Sequence, residues 1–261
     1  MDIPTASRAA ALLHRHWMDG TRLENLPDAL RPRTRSAGYA VQAQLAPHNG
    51  SPLFGWKIAA TSAAGQRHIG VDGPMAGRIF SNRVIDPNRP CPLEGNAMRL
   101  AELEFAFRMR EPLPPRRRAY TVAEVMAAVD TLHLAIELPD SRYETAEAAG
   151  EAQLIADNAC AHLFLLGPAA AEGWQEQDLA ATGVVAVLDQ DEPVHGQGRN
   201  VLGEPRLALQ WLVNELCSLD LTLAAGQIVT TGTCVTPIPV RPGSRLAAEF
   251  GGLGTIALDF A

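Results

Sequence analysis

The stretch "MRLAELEFAFRM", residues 98–109, alternates apolar and polar side chains in the pattern of a β-strand. The pleat of a strand places Glu102 and Glu104 on one face and Leu103 and Phe105 on the other. Glutamate is a poor strand former, and two carboxylates about 7 Å apart on one face repel each other. Two interpretations are open: a hard cation lies between the two acids, or the strand has one wet face on which they are harmless.

A second apolar strand, "LHLAIEL" at residues 132–138, carries Glu137 just before a proline break. If the two strands are neighbours, Glu137 can join Glu102 and Glu104. Three glutamates without cysteine or suitably spaced histidine favour a hard ion, Mg²⁺ or Mn²⁺, over zinc. Such an ion chelates small 2-oxo acids through one carboxylate oxygen and the adjacent carbonyl oxygen.

Lys57, within "FGWKIAATS" at residues 54–62, is the only lysine among 22 Lys and Arg residues. Lysine is a compact charge whose pKa moves on burial, whereas arginine is a planar fork that stays charged. Lys57 is therefore either a tunable ammonium at a functional site or a surface lysine that survived by chance.

The pattern of short apolar runs separated by Gly, Pro and Asn predicts an α+β fold with a mixed, strongly curved β-sheet and a small N-terminal helical cap. We expect the cap to span residues 1–50 and a β-rich catalytic domain to span residues 51–261. The predicted strands are 55–60, 98–109, 132–138, 160–166, 182–188, 226–231 and 245–259, and the predicted later helices are 121–130 and 204–219. Thr121 and Glu124 have the spacing of a capping box.

Composition excludes several classes of protein. The net charge is -7 with both signs interspersed, so no basic stripe favours nucleic acid. No run approaches the roughly 18 apolar residues of a membrane span, and the first 20 residues lack a signal-peptide pattern. The four cysteines lie far apart, which favours neither a zinc site nor a disulfide framework, and we expect a cytoplasmic location.

Several segments together resemble a known family. They are "GWKIAATS" at 55–62, "AELEFAF" at 101–107, "AIELPDSRY" at 135–143, "DNACAHLFLLG" at 157–167 and the run at 223–260 that contains "TTGT" and "FGGLG". In order and spacing they are similar to the 2-keto-4-pentenoate hydratase and 4-oxalocrotonate decarboxylase family of the fumarylacetoacetate hydrolase superfamily. The similarity runs from near the N-terminus to the C-terminus.

The resemblance implies a β-rich fold rolled around a divalent metal, Mg²⁺ or Mn²⁺, which Glu102, Glu104 and Glu137 hold. It implies that Lys57 faces the substrate, and we expect the nearby ion to lower the pKa of this amine. It implies substrate contacts at Thr233, Ile69, Gly70 and Asp72. It also implies that Asp140 and Arg142 support the ligands from behind.

Two positions depart from the family pattern. Met75 stands where family hydratases usually carry an aspartate assigned to proton transfer, and Cys160 stands where a serine is usual. Both departures bear on water addition rather than on the metal ligands. The resemblance also implies self-association and, for decarboxylase members, a partner hydratase of the same pathway.

The leading functional hypothesis is a metal-dependent lyase in aromatic catabolism that hydrates a short 2-hydroxydienoic acid such as 2-keto-4-pentenoate. Decarboxylation of 4-oxalocrotonate is the alternative that Met75 favours. A non-catalytic module that binds a 2-oxo acid is a second alternative. Hydrolysis of a C–C bond is disfavoured because it needs an activating His–Glu pair, and neither His16 nor His68 has an evident partner.

Overall fold

Two β-sheets and eight α-helices form the chain, which the structure, a computed structural model, describes over residues 1–261. The helices are α1 (Ile3–Asp19), α2 (Arg35–Ala43), α3 (Leu45–Asn49), α4 (Ala63–Ile69), α5 (Val122–Ala127), α6 (Ala146–Ala149), α7 (Glu151–Ala156) and α8 (Pro205–Ser218). The strands are β1 (Leu53–Ala59), β2 (Met75–Phe80), β3 (Leu100–Met109), β4 (Val129–Leu138), β5 (Leu163–Ala169), β6 (Gly183–Leu188), β7 (Val194–Gln197), β8 (Ile228–Thr233), β9 (Ile238–Pro239), β10 (Arg245–Phe250) and β11 (Thr255–Asp259). None of the helices combines the length and the apolar character that crossing a membrane requires.

The larger sheet has the order β2-β1-β8-β3-β4-β5, with β9 paired to β3. The sheet is mixed: β1 and β8 run parallel, whereas the other neighbouring strands in this order run antiparallel. The sheet rolls until the segment after β2 reaches the opposite edge, where Val84 bridges Phe164 and the Ile85 amide donates to the Phe164 carbonyl over 2.8 Å. The edge strands β2 and β5 themselves do not pair, so the roll stays open. The predicted α+β class with a curved sheet is confirmed.

The smaller sheet, in the order β11-β10-β6-β7, packs against the outer face of the roll. Phe105 of β3 meets Phe250 of β10 edge to face, with ring centroids 5.3 Å apart, and both side chains are fully buried. Edge-to-face contact is the favoured geometry for an aromatic pair. This pair explains why the odd-numbered face of β3 is apolar: it carries the contact between the two sheets.

The N-terminal helices dock on β2 through α2. Tyr39 and Gln42 both bind the main chain of Ala76: the Ala76 amide donates to the Tyr39 hydroxyl over 3.1 Å, and Gln42 Nε2 donates to the Ala76 carbonyl over 2.7 Å. Apolar residues of α1 and α2 belong to the same continuous core as those of the sheets. The division into a cap of residues 1–50 and a catalytic domain of residues 51–261 stays a prediction.

The single strand predicted over 245–259 is wrong, because the chain turns back within it. β10 ends at Phe250 and β11 begins at Thr255, and the two strands pair antiparallel. Gly251, Gly252 and Gly254 make the turn with φ of 31°, 80° and 141°, values that residues with a side chain rarely adopt.

Other boundaries also differ from the prediction. The strand predicted at 160–166 begins only at Leu163. The helix predicted at 121–130 ends at Ala127, since β4 begins at Val129, although the capping box of Thr121 and Glu124 is confirmed. Helix α4 and strand β2 were not predicted, because the apolar residues of these short segments follow neither the helical period nor the strand period clearly.

We expect Phe250→Ala to lower the free energy of unfolding by about 3–5 kcal/mol, the usual range for removing a buried phenylalanine. The loss follows from the cavity left between the two sheets, and equilibrium unfolding in urea measures it. Leu207→Ala on α8, where Leu207 is 43% exposed, is the control and should change stability by no more than about 0.5 kcal/mol. Equal losses in both variants would contradict this packing role.

Candidate active site

Three glutamates converge inside the roll. In the β3–β4 register Glu102 lies directly opposite Glu137, and Glu104 follows two residues along the same face of β3. One oxygen from each carboxylate lies within 4.8 Å of the others. Glu104 is 0% exposed and Glu137 is 1% exposed, while Glu102 is half-buried, so the interpretation of a strand face on which all the acids are wet is wrong. The structure brings the three predicted acids together and could hold a metal ion between them.

The Glu104 carboxylate is fixed from β8. The Thr230 hydroxyl and the Gly232 amide both donate to its Oε2, the amide over 2.7 Å. Its other oxygen, Oε1, is buried and has no hydrogen-bond partner. Buried polar atoms are nearly always paired. This oxygen therefore has the state expected of an atom that binds a cation.

Lys57 faces the glutamates from β1, where it lies beside Thr230 of β8. Its side chain is buried, and Nζ lies 2.9 Å from Glu137 Oε2 as an ion pair without the alignment of a hydrogen bond. Nζ donates its hydrogen bond instead to the Ala159 carbonyl, over 3.1 Å. The interpretation of Lys57 as an ordinary surface lysine is wrong.

One ammonium faces three carboxylates, and the pKa values reflect that imbalance. Burial raises the pKa of all three carboxyls, and for Glu104 the charge of Glu102 adds to it, giving a pKa of about 7. Burial alone would lower the pKa of Lys57, but the charges of the three acids outweigh it and the pKa is raised. The lowering expected for Lys57 depends on a bound ion and stays a prediction.

The carbonyl that receives Lys57 belongs to a turn in an uncommon conformation. Asn158, Ala159 and Cys160 are all left-handed, with φ of 58°, 52° and 59°. Each such residue costs roughly 1–2 kcal/mol when it carries a side chain. The Asn158 amide offsets this cost by pairing with the main chain of Arg78, accepting over 2.7 Å and donating over 2.8 Å.

Arg142 holds the base of this turn. Its guanidinium forms a buried ion pair with Asp157, which also accepts from the Ser141 hydroxyl over 2.9 Å and from the Arg142 amide over 3.0 Å. Arg142 therefore supports Lys57 through the turn and does not contact the glutamates. Asp140 is buried as well, and it pairs with Arg22 and accepts from the Ala97 amide over 3.0 Å.

The predicted substrate contacts fall in two places. Thr233 lies opposite Glu104 at the end of β8, and its hydroxyl donates to the Val235 carbonyl over 2.8 Å. Ile69 ends α4 half-buried, Gly70 caps that helix with φ of 65°, and Asp72 is exposed in the link to β2. No hydrogen bond or ion pair joins these four residues to the glutamates. Helix α4 itself has no buried residue.

Sequence reasoning missed several residues that shape the site. Thr61 is buried against Gly232, whose φ is 101° and at which an added Cβ would lie 2.1 Å from the Thr61 hydroxyl. Thr230 lies in the quoted "TTGT" but was not singled out. Ala159 contributes only a carbonyl, so its side chain gave no signal.

The two departures from the family pattern are both placed close to this site. Met75 is buried at the start of β2 and pairs with Ala59 at the end of the strand that carries Lys57. Cys160 ends the left-handed turn, and burial raises the pKa of its thiol to about 12. A thiol with so high a pKa stays protonated near neutral pH and is a poor nucleophile.

The rolled sheet that encloses these acids and the amine is also found in solved structures. The structure superposes on 4-oxalocrotonate decarboxylase from Pseudomonas putida G7, complexed with magnesium and adipate, with a TM-score of 0.90 over 100% of this chain and 99% of that chain at 24% identity. A likeness at this identity shows the fold. A second solved form of that protein, complexed with calcium and acetate, gives a TM-score of 0.88 over the same shares of the two chains at 24% identity.

The chain belongs to the fumarylacetoacetate hydrolase family, since residues 80–261 match the family described as Fumarylacetoacetate (FAA) hydrolase C-terminal. It is 30% identical to a 2-keto-4-pentenoate hydratase of Burkholderia vietnamiensis, over 96% of this chain and 95% of that protein. It is 31% identical to 2-keto-4-pentenoate hydratase 1 of Dechloromonas aromatica, over 97% and 96%. A 2-oxo-hept-4-ene-1,7-dioate hydratase of Escherichia coli is 29% identical over 85% of each. The predicted family resemblance is confirmed.

Gly77→Ala should disturb the support of Lys57. An added Cβ at Gly77 would lie 2.4 Å from the Asn158 carbonyl oxygen and 2.9 Å from Lys57 Cγ. Overpacking of this kind lowers the free energy of unfolding by about 1–3 kcal/mol, which urea unfolding measures. Gly73→Ala is the matched control, because its Cβ would meet nothing within 4 Å. If both variants keep the parent's stability, the close approach at Gly77 does not constrain the turn.

Proposed function

We propose that this protein is a divalent-metal-dependent lyase that adds water to a short 2-hydroxydienoic acid, with 2-keto-4-pentenoate (2-hydroxypenta-2,4-dienoate) as its substrate in aromatic catabolism. The observation that carries the proposal is the buried cluster of Glu102, Glu104 and Glu137 with Lys57 against it. The names of the relatives that match nearly the whole chain supply the reaction. We also propose a cytoplasmic location, in line with the four widely spaced cysteines, and a homo-oligomer, as the family resemblance implies.

Glu102, Glu104 and Glu137 would hold the ion through carboxylate oxygens, which suits Mg²⁺ or Mn²⁺. The buried Oε1 of Glu104, which has no partner, supports this assignment. When bound, such an ion supplies Lewis-acid polarisation of the substrate's carboxylate and 2-oxo oxygens. The Thr230 hydroxyl and the Gly232 amide orient Glu104, so β8 fixes the ligand geometry before any ion arrives.

Lys57 holds a proton against Glu137, within reach of the same cluster. In this proposal the Lys57 ammonium pairs with the substrate carboxylate and moves a proton during the reaction. The Ala159 carbonyl keeps the amine pointed inward when a ligand competes for Glu137. Thr233, Ile69, Gly70 and Asp72 would bind the rest of the substrate, while Asp140 and Arg142 keep the supporting loops in place.

Decarboxylation of 4-oxalocrotonate (2-oxo-3-hexenedioate) is the second candidate, and Met75 favours it. A buried methionine cannot position water, whereas loss of a remote carboxylate needs no such base. A partner hydratase of the same pathway would accompany a decarboxylase. A non-catalytic module that binds 2-oxo acids is the third candidate, because the left-handed turn and the acids could hold a ligand without turnover.

Turnover of two substrates separates these candidates. The parent protein is supplied with Mg²⁺ and either 2-hydroxypenta-2,4-dienoate or 2-oxohex-3-enedioate, and dienol absorbance and CO₂ release are followed. We expect loss of dienol absorbance with the first substrate. CO₂ from the second without turnover of the first would replace hydration by decarboxylation, and no turnover of either would leave the binding module.

Lys57→Gln should lower kcat by about 10²–10⁴, the range for losing a positioned proton-transfer group. Lys57→Arg should also fail, because a planar fork cannot take the place of a compact ammonium between Glu137 and Ala159. Steady-state rates measure both losses, and Arg110→Gln, with an arginine side chain 57% exposed, is the control. A Lys57→Gln variant with the parent's kcat would remove Lys57 from the chemistry.

The metal-free protein should lose stability as pH rises, and Mg²⁺ should restore it. The raised pKa values of Glu104 and Glu137 mean that the folded chain binds protons more tightly than the unfolded chain. Stability from these groups therefore falls from about pH 4.5 upward through about pH 7. Metal ligands must be deprotonated, so the rise in Tm with millimolar Mg²⁺ should be larger near pH 8 than near pH 6. Thermal unfolding at matched ionic strength measures this rise.

The control for the metal effect is Glu102→Gln with Glu104→Gln, which should abolish the rise in Tm at both pH values. A Mg²⁺ effect of the same size in this double variant would show that the ion binds elsewhere. An effect independent of pH in the parent would contradict binding to these carboxyls.

A further inference from the structure

The link between helix α4 and strand β2 has few contacts that fix its position. Val71 packs into the core before the link, and Met75 begins β2 after it. Between them, residues 72–74 form a single hydrogen bond, in which the Pro74 carbonyl accepts from Arg35 Nη2 over 2.9 Å. The position of this link therefore depends on one guanidinium group.

Arg35 stands at a position that its own helix does not favour. It is the first residue of α2, where the partial positive charge of the helix N-terminus repels a cation. Helix α7 shows the usual choice, because its first residue is the acid Glu151. Helix formation therefore does not explain an arginine here, and the explanation lies in the groups that the guanidinium contacts outside α2.

Two acids orient the half-buried guanidinium of Arg35. Its Nη1 donates to Oε1 of Glu151 on α7 over 2.5 Å, and its Nη2 donates to Oε1 of Glu215 on α8 over 2.8 Å. The guanidinium is a planar fork whose donors point in fixed directions. Because the two ion pairs fix the plane of the fork, they also direct Nη2 at the Pro74 carbonyl.

The same helix holds the start of β2. Other side chains of α2 bind both the amide and the carbonyl of Ala76, and Arg35 adds a contact two residues earlier, at Pro74. Gly77, the next residue of β2, pairs with Lys57 in the β1–β2 register. Helix α2 therefore fixes both the strand that flanks the amine of the site and the link that leads into this strand.

We propose that Arg35 is a positioning residue for substrate binding, which holds the 72–74 link, and Asp72 within it, in place for the substrate. The inference rests on the proposed function, in which Asp72 binds substrate. Arg35 itself forms no hydrogen bond or ion pair with the acidic cluster. Its loss frees the link but leaves the reacting centre unchanged, so substrate binding weakens while the chemical step keeps its rate.

Steady-state kinetics with Mg²⁺ and 2-hydroxypenta-2,4-dienoate test this role. Arg35→Gln should raise KM about tenfold and change kcat by less than about twofold. Arg35→Lys keeps a cation between the two acids, but one nitrogen cannot reach three acceptors in different directions, so KM should rise here as well. Arg33→Gln is the matched control, because this arginine lies two residues earlier with its side chain 69% exposed, and it should keep the parent's KM.

Hydrogen–deuterium exchange without substrate measures the position of the link independently of catalysis. In Arg35→Gln the amides of residues 71–76 should exchange about tenfold faster than in the parent, because local opening becomes easier. The amides of β3 should keep the parent's rate, and Arg33→Gln should match the parent throughout. If the parent turns over neither candidate substrate, the proposed function fails, while the exchange rates still decide whether Arg35 holds the link.

Three results would overturn the proposal. The first is the parent's KM in Arg35→Gln, and the second is the parent's exchange rate at residues 71–76 in that variant. The third is a lower Tm and a lower kcat with the parent's KM, which would mean that Arg35 only stabilises the fold. Should Arg35→Gln fail to fold, Arg35→Lys, which retains the charge between the acids, decides by the same measurements.

Discussion

The structure depends on an imbalance of charge inside the roll, where three carboxylates face a single ammonium. Such an arrangement is costly to bury, and hydrogen bonds from β8 and from the turn before β5 reduce only part of that cost. The cost persists because both faces of β3 are committed. One face carries the acids, and the other joins the two sheets through Phe105 and Phe250. Neither set can move without disturbing the other.

The support of Lys57 shows how strain is distributed around this cluster. The amine is held by a main-chain carbonyl on a left-handed turn, and a buried ion pair and an asparagine amide stabilise the turn. Local strain in folded chains survives only where surrounding contacts over-determine it. Here the contacts come from β2 and from the segment after β4, so the position of one nitrogen depends on elements far apart in sequence.

The acids could be predicted from the sequence because the period of a strand is fixed. The spacing of Glu102 and Glu104 determines their common face, whereas the approach of Glu137 depends on the β3–β4 register and was conditional on those strands being neighbours. The turn at 158–160 could not be predicted, because "DNAC" contains no glycine and tertiary hydrogen bonds impose its conformation.

Helix α4 follows the strand of Lys57 and leads to β2, yet it buries none of its own side chains. Substitutions there cost the core little, because Ile69 is the one residue of this helix that packs against it, and Ile69 is only half-buried. The chain thus separates a core on which folding depends from a segment that contributes little to it. New substrate preferences can arise in such a segment by drift, with little penalty to the rest of the molecule.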